Sequence, residues 1–228
     1  MRRENVAIGS QVIRSSVASP LEGSKRKALF DILSSLPNGS RLADVGCFDG
    51  RFMDVYLSAG VSEVDGFDVN ADAIALARTR GMNATRWDFE SETAPALDAA
   101  YDVVVCADVL EHIYNSENLL RECHRIVRSS GRCIFITPNL ASLWNRLIVL
   151  SGRMPLDHPG VSIHVKTEPG VNLGHARAGT AREWAGLLTR TGFRVERTEG
   201  ISKSAAVRAL TGLRPTLASA ILFVALKR

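Results

Sequence analysis

The sequence predicts an α/β fold in which buried parallel strands alternate with amphipathic helices. Two observations carry this. Apolar runs bounded by Gly, Asp or Asn recur along the chain, and the stretches between them place apolar residues three and four apart. Parallel strands covered on both faces read as continuous apolar runs, and a helix lying on such a sheet needs one apolar stripe.

In chain order, a helix over Ser24 to Leu36 leads into a strand over Arg41 to Val45. A helix over Gly50 to Ser58 then precedes a strand over Glu63 to Phe67, and a helix over Ala71 to Arg80 has Asn70 as its cap and Gly81 as its stop. Tyr101 to Cys106 is the next strand. Asn115 or Ser116 caps a helix over Ser116 to Arg128, which Gly131 closes before a strand over Arg132 to Ile136. Thr180 to Glu183 is a capping box that opens a helix running through Thr191. Strand-like Phe193 to Arg197 follows Gly192, and Ile221 to Lys227 reads as a last strand.

A length of 228 residues suits one core, so residues 1–228 are read as a single domain. The chain is 46% hydrophobic and 23% charged, which excludes disorder. Its net charge of +4 is spread without a clustered basic face, so nucleic acid is not expected as a partner. Cys47, Cys106, Cys123 and Cys133 lack paired spacing and read as buried, reduced thiols. No signal-like run follows the basic start, and the apolar run from Ala218 to Leu226 is too short for a bilayer, so no integral membrane segment and a cytoplasmic location are expected. Residues 1–23 read as an N-terminal lid. Residues 140–179 break the rhythm with Pro155, Pro159, Pro169, His158, His164 and His175, and read as a substrate-side insertion.

The strongest motif is Leu42-Ala43-Asp44-Val45-Gly46-Cys47-Phe48-Asp49-Gly50, a strand running into a glycine turn that opens a helix. Glycines let the backbone approach a ligand, and the helix start offers unpaired N–H groups. A structural turn or a dinucleotide site would use the same pattern. Asp68, beside Val69 at the end of the next strand, can accept both hydroxyls of a ribose or serve as a cap competing with Asn70.

These residues resemble the class I S-adenosylmethionine-dependent methyltransferases. Asp44, Gly46 and Gly50 match the superfamily's first motif, Cys47 lies within it, and Phe48 stands where the middle glycine is usual. The resemblance implies that Asp68 holds the ribose and that Asp88, in Arg86-Trp87-Asp88-Phe89, contacts the adenine with Phe89 adjacent. Tyr101-Asp102-Val103-Val104-Val105-Cys106-Ala107-Asp108-Val109-Leu110-Glu111-His112 looks like the fourth-strand motif of the small-molecule branch that includes the ubiquinone-biosynthesis O-methyltransferases. It implies that Cys106, Ala107 and Asp108 lie along the cofactor's methionine part. The implied fold is a Rossmann-like, seven-stranded, mostly parallel sheet with helices on both faces and an antiparallel last strand. The implied cofactor is S-adenosylmethionine, with S-adenosylhomocysteine as product.

Methyl transfer needs alignment more than acid–base chemistry, yet a hydroxyl nucleophile benefits from a base. His112 is the nearest candidate in sequence, with the packing of the following loop as its other reading. His175 and His158 are alternatives, each also readable as a loop hydrogen-bonder. No ligand spacing suggests a metal site. Trp144, Leu147, Ile148 and Leu150, with Arg146 and Arg153 nearby, form a stripe that serves core packing, an apolar pocket or a peripheral membrane contact. The function expected is methyl transfer to a small-molecule acceptor, most readily a hydroxyl oxygen. The alternatives are N- or C-methylation, a cofactor-binding scaffold without catalysis, and a less well-matched NAD-type dehydrogenase.

Overall fold

The computed structural model describes residues 21–158, 175–202 and 214–228. Residues 1–20 of the expected lid and residues 159–174 of the expected insertion, including His164, lie outside the described residues. Chain order within the described residues is α1 (Glu22–Leu33), β1 (Arg41–Val45), α2 (Met53–Ser58), β2 (Glu63–Asp68), α3 (Ala71–Thr79), β3 (Asn83–Arg86) and β4 (Tyr101–Ala107). A short 3₁₀ turn (Leu110–His112) follows, then α4 (Ser116–Ile126), β5 (Val127–Pro138), α5 (Leu143–Leu150), α6 (Ala181–Arg190), β6 (Phe193–Ile201) and β7 (Ala220–Lys227). Glu22 and Gly23, assigned to the lid from sequence, already belong to α1.

The strands form one seven-stranded sheet in the order β3-β2-β1-β4-β5-β7-β6. β1 to β5 pair in parallel, and β7 runs antiparallel to both β5 and β6. This is the Rossmann-like arrangement. From β1 the chain steps outward through β2 and β3, then returns to build the other half from β4, so the strand order reverses between β1 and β4. At such a reversal α/β sheets bind ligands, in the crevice outside the carboxyl ends of the strands.

Each sheet face buries its own apolar layer. Val45, Phe67, Trp87, Leu119, Leu120, Phe135 and Phe193 pack on one side. Leu29, Leu33, Leu42, Tyr56, Val103, Ile134 and Leu222 pack on the other. The caps expected from sequence are present. The Asn70 side chain accepts from the Asp72 and Ala73 amides, Asn115 accepts from Asn118, and Thr180 and Glu183 exchange both bonds of a capping box.

The helix expected over Ser116 to Arg128 stops at Ile126, because Val127 is buried and pairs with Tyr101 as the first residue of β5. Gly131 therefore closes no helix. A Cβ there would lie 2.7 Å from the Asp102 carbonyl oxygen, so its role is close approach of β5 to β4. The helix expected from Gly50 begins at Met53, because Gly50 takes a φ of 72° inside the turn. α1 stops at Leu33, short of the expected Leu36.

Candidate functional site

Asp44 is the penultimate residue of β1, at its carboxyl end. It is 2% exposed, and its Oδ2 has no hydrogen-bond partner among the described residues. Burial pushes its pKa up to about 7. The nearby Tyr56 hydroxyl, which stands outside bonding geometry, draws it partly back, and the Asp68 charge adds to the rise. Gly46 follows at a φ of 82°, and the Gly46 and Cys47 N–H groups both donate to the Phe67 carbonyl, at 2.7 and 3.1 Å. Phe48, in place of the family's middle glycine, adopts a left-handed φ of 49°. The turn survives because the Phe48 N–H donates to Asp68 Oδ2 at 2.9 Å, while its ring lies under the Arg51 guanidinium, 4.5 Å from the ring centre. The Gly50 N–H donates back to Cys47.

Asp68 is buried at the carboxyl end of β2, and its Oδ1 accepts the Asn70 N–H at 2.9 Å. Burial raises its pKa, with the Asn70, Phe48 and Val69 amides opposing. The first amides of α3 go to Asn70, so the cap of that helix is Asn70 and Asp68 ties the glycine turn to β2. Val69 is exposed beside it. Asp88 is half-buried and organises its own turn, accepting from the Glu90 N–H and the Ser91 hydroxyl. Phe89 packs edge-on against Trp87 in the core, ring centres 4.8 Å apart.

At the end of β4, Cys106 is fully buried, and the neighbouring Cys123 together with burial pushes its thiol pKa up. Ala107 is half-buried, and Asp108 takes a φ of 56° and pairs with Lys25 from α1. Lys25 is 5% exposed, and sequence reading missed it. The signal was there: Lys25 occupies the same helical stripe as Leu29, Ile32 and Leu33, so a charge on that stripe needs a buried partner.

The next turn carries Glu111 and His112, and the segment after residue 174 docks on it. The Ala176 and Arg177 N–H groups donate to the Glu111 carbonyl at 2.7 and 3.0 Å, while the Arg177 guanidinium donates to the carbonyls of Ile113 and Tyr114. This brings His175 to His112, ring centres 4.8 Å apart. His175 Nδ1 lies 2.7 Å from the Asp157 carbonyl oxygen. Donation to that carbonyl puts the ring proton on Nδ1 and makes Nε2 the basic nitrogen. Burial, then the neighbouring His112, lowers its pKa. Burial, then the Asp108 charge, raises that of Glu111. One ligand atom from each of Glu111, His112 and His175 falls within 4.8 Å of the others, a set of two imidazoles and a carboxylate able to hold a divalent metal. Sequence reading proposed no metal for want of a ligand spacing; His175 reaches the other two through the docked segment. His158 is buried near the end of the first described part of the insertion.

The residues present fit S-adenosylmethionine. Asp44 supplies an orphaned buried carboxylate, Asp68 a second at the end of β2, and the turn between them exposes backbone at Gly46. Acidic groups converging on a parallel-strand edge suit a cationic ligand with ribose hydroxyls.

Because Asp44 holds its proton longer in the folded chain than in the unfolded one, folding binds protons between about pH 4 and pH 7. Its contribution to stability is therefore greatest at acid pH and falls as pH rises through about 7. Asp44→Asn is expected to remove that fall and raise the melting temperature of the ligand-free protein at pH 8 relative to wild type. The difference should vanish near pH 4, as thermal melts across pH would record.

Comparison with known proteins places this geometry. A family model described as a methyltransferase domain matches residues 21–198. The ubiquinone biosynthesis O-methyltransferase of Burkholderia pseudomallei is 33% identical over 119 residues, 50% of this chain and 50% of that protein. The chain thus spans about half the length of the curated relatives it matches. The fold is shared with an S-adenosylmethionine-dependent methyltransferase from Mesorhizobium loti (TM-score 0.61, 20% identity, covering 92% of this chain and 99% of the other). It is also shared with one from Aquifex aeolicus (TM-score 0.63, 16% identity, 96% and 98%). With the model matching well over half its length, this chain belongs to the methyltransferase domain family, within the S-adenosylmethionine-dependent superfamily whose motifs it carries.

Proposed function

We propose that this protein transfers a methyl group from S-adenosylmethionine to a small-molecule acceptor, at a hydroxyl oxygen. The observation that carries the reading is the His112–His175 pair, held in the turn that follows Asp108 at the end of β4. The likeness of the fourth-strand motif to O-methylating relatives adds support.

When bound, the cofactor supplies an activated methyl carbon on a sulfonium. Asp68 would hold the ribose, the turn from Gly46 through Cys47 and Phe48 would lie against the methionine part together with Ala107 and Asp108, and Asp88 would contact the adenine, with Phe89 packed behind it on Trp87. Lys25 pairs with Asp108 and holds it in place. His175 takes the proton of the acceptor hydroxyl at Nε2, its tautomer set by Asp157 and its lowered pKa keeping the ring neutral near pH 7. His112 orients it. The four thiols are free and buried, which accords with a cytoplasmic, reducing setting. Among the described residues no helix is long and apolar enough to cross a membrane.

Calorimetric titration with S-adenosylmethionine, S-adenosylhomocysteine and NAD tests the cofactor, and release of S-adenosylhomocysteine with hydroxyl-bearing acceptors tests the reaction. Binding of the first two and not NAD, with turnover, is expected. Phe48 at the middle-glycine position favours a second reading, a cofactor-binding domain without turnover, and binding without product release across acceptors would establish it. His175→Gln is expected to lower kcat about 10²–10⁴-fold, the usual worth of a general base, with cofactor affinity unchanged. The wild-type rate should rise with pH through a midpoint below that of a free imidazole and then level off, as expected for a base whose pKa is lowered.

A further inference from the structure

α5 is built inside out. Its one buried residue is polar, and four of its apolar residues are exposed, with Leu143 and Ile148 half-buried. Asn145 is 5% exposed, donates to the carbonyls of Asn139 and Leu156, and accepts the Leu156 N–H at 2.9 Å. Ser142 caps the helix by accepting the Asn145 N–H. These bonds fix the rotation of the helix, and the fixed rotation turns Trp144 (63% exposed), Leu147, Val149 and Leu150 (83% exposed) outward, with Met154 continuing the patch. Isolated exposed apolar residues are ordinary, but a contiguous patch held out by a polar anchor marks a contact surface.

The charge around the patch selects the partner. Arg146 and Arg153 are exposed at its rim, and no Asp or Glu occurs between Asn139 and Leu156. A two-fold contact with a second copy would bring these arginines face to face with no acid in the segment to offset them. An anionic lipid surface instead pairs with the arginines and takes up the tryptophan and aliphatic side chains at the headgroup boundary. We propose that α5 and the turn to Met154 dock this protein on an anionic membrane surface, with Trp144, Leu147, Val149, Leu150 and Met154 entering the interface. Asn145 and Leu156, on the other side of the same helix and turn, line the cleft shared with Glu111 and His175. Docking would therefore set that cleft against the lipid, open to an acceptor with an apolar portion.

The docking stands independently of the acceptor reading, because it is scored without cofactor or substrate. Of the three tryptophans, Trp87 and Trp184 are buried and Trp144 is exposed, so emission reports on α5 directly. The full chain is mixed with vesicles of phosphatidylcholine alone or with phosphatidylglycerol, then followed by sedimentation and fluorescence. Expected results are co-sedimentation with the phosphatidylglycerol vesicles, a blue shift with protection from acrylamide, and weakening at high salt. Leu147→Glu with Leu150→Glu is expected to reduce partitioning about tenfold or more, given the worth of burying a leucine. Melting temperature and S-adenosylmethionine affinity should be unchanged. The proposal is overturned by absence of binding, by binding that the double variant leaves intact, or by Trp144 emission already blue-shifted and shielded without lipid. The last result would assign the patch to another segment of this chain. Concentration-dependent dimerisation abolished by the same variant would assign it to a second copy.

Discussion

Asp68→Ala is expected to weaken S-adenosylmethionine binding by about a hundredfold or more, since each hydrogen bond to a charged group is worth roughly 1.5–3 kcal/mol and the ribose offers two. The carboxylate also receives the Phe48 and Asn70 N–H groups, so the variant should lose the tie between the glycine turn and β2. Asp68→Asn separates the two roles. Its remaining carbonyl oxygen can retain one amide, so stability should recover more than affinity. Calorimetric titration beside thermal melts of both variants reads this out. An Asp68→Ala protein that bound the cofactor as tightly as wild type would place the ribose elsewhere.

Gly46→Ala is expected to cost about 2–5 kcal/mol of stability, combining the strain of a left-handed alanine with overpacking. The backbone sits at a φ of 82°, and a Cβ would fall 2.2 Å from Cγ2 of Val109. Val109 follows Asp108 directly, so relief of that clash must push on the loop after β4, and cofactor affinity should fall with stability. Urea denaturation checks the first effect. Gly46→Ala combined with Val109→Ala should be less destabilised than the sum of the single changes, because the smaller side chain frees the space the new methyl needs. Additive losses would mean that backbone strain alone carries the cost.

The sheet was legible because its strands are buried on both faces and leave unbroken apolar runs, while the helices keep a three-and-four rhythm. Where that contrast fails, so does the reading. Val127 begins β5 but is followed by Arg128, Ser129 and Ser130, all exposed, so local pattern assigns them to a helix end. Only the pairing of Val127 with Tyr101 across the sheet decides otherwise. The crevice residues Asp44, Gly46, Phe48 and Asp68 could be named because each lies at a strand end within one local motif. The Glu111–His112–His175 cluster could not be assembled that way, because it depends on two backbone bonds to the Glu111 carbonyl from a distant segment. For α5 the composition was readable and its facing was not. An apolar stripe announces itself, but which side turns inward was set by Asn145 reaching Asn139 and Leu156.

The position of β7 between β5 and β6 has a bearing on how the chain reaches its folded state. β6 precedes β7 in the chain, yet its ladder partner in the sheet is β7. A nascent chain that has made β6 but not residues 220–227 therefore holds two open hydrogen-bonding edges, on β5 and β6, with Phe135 and Phe193 short of cover from Phe223. Such edges template association with other chains. The half of the sheet that carries the crevice, β1 to β4, pairs through earlier residues and can assemble before synthesis reaches β7. Premature termination in the last ten residues should thus yield insoluble protein from a chain whose cofactor motifs are all intact.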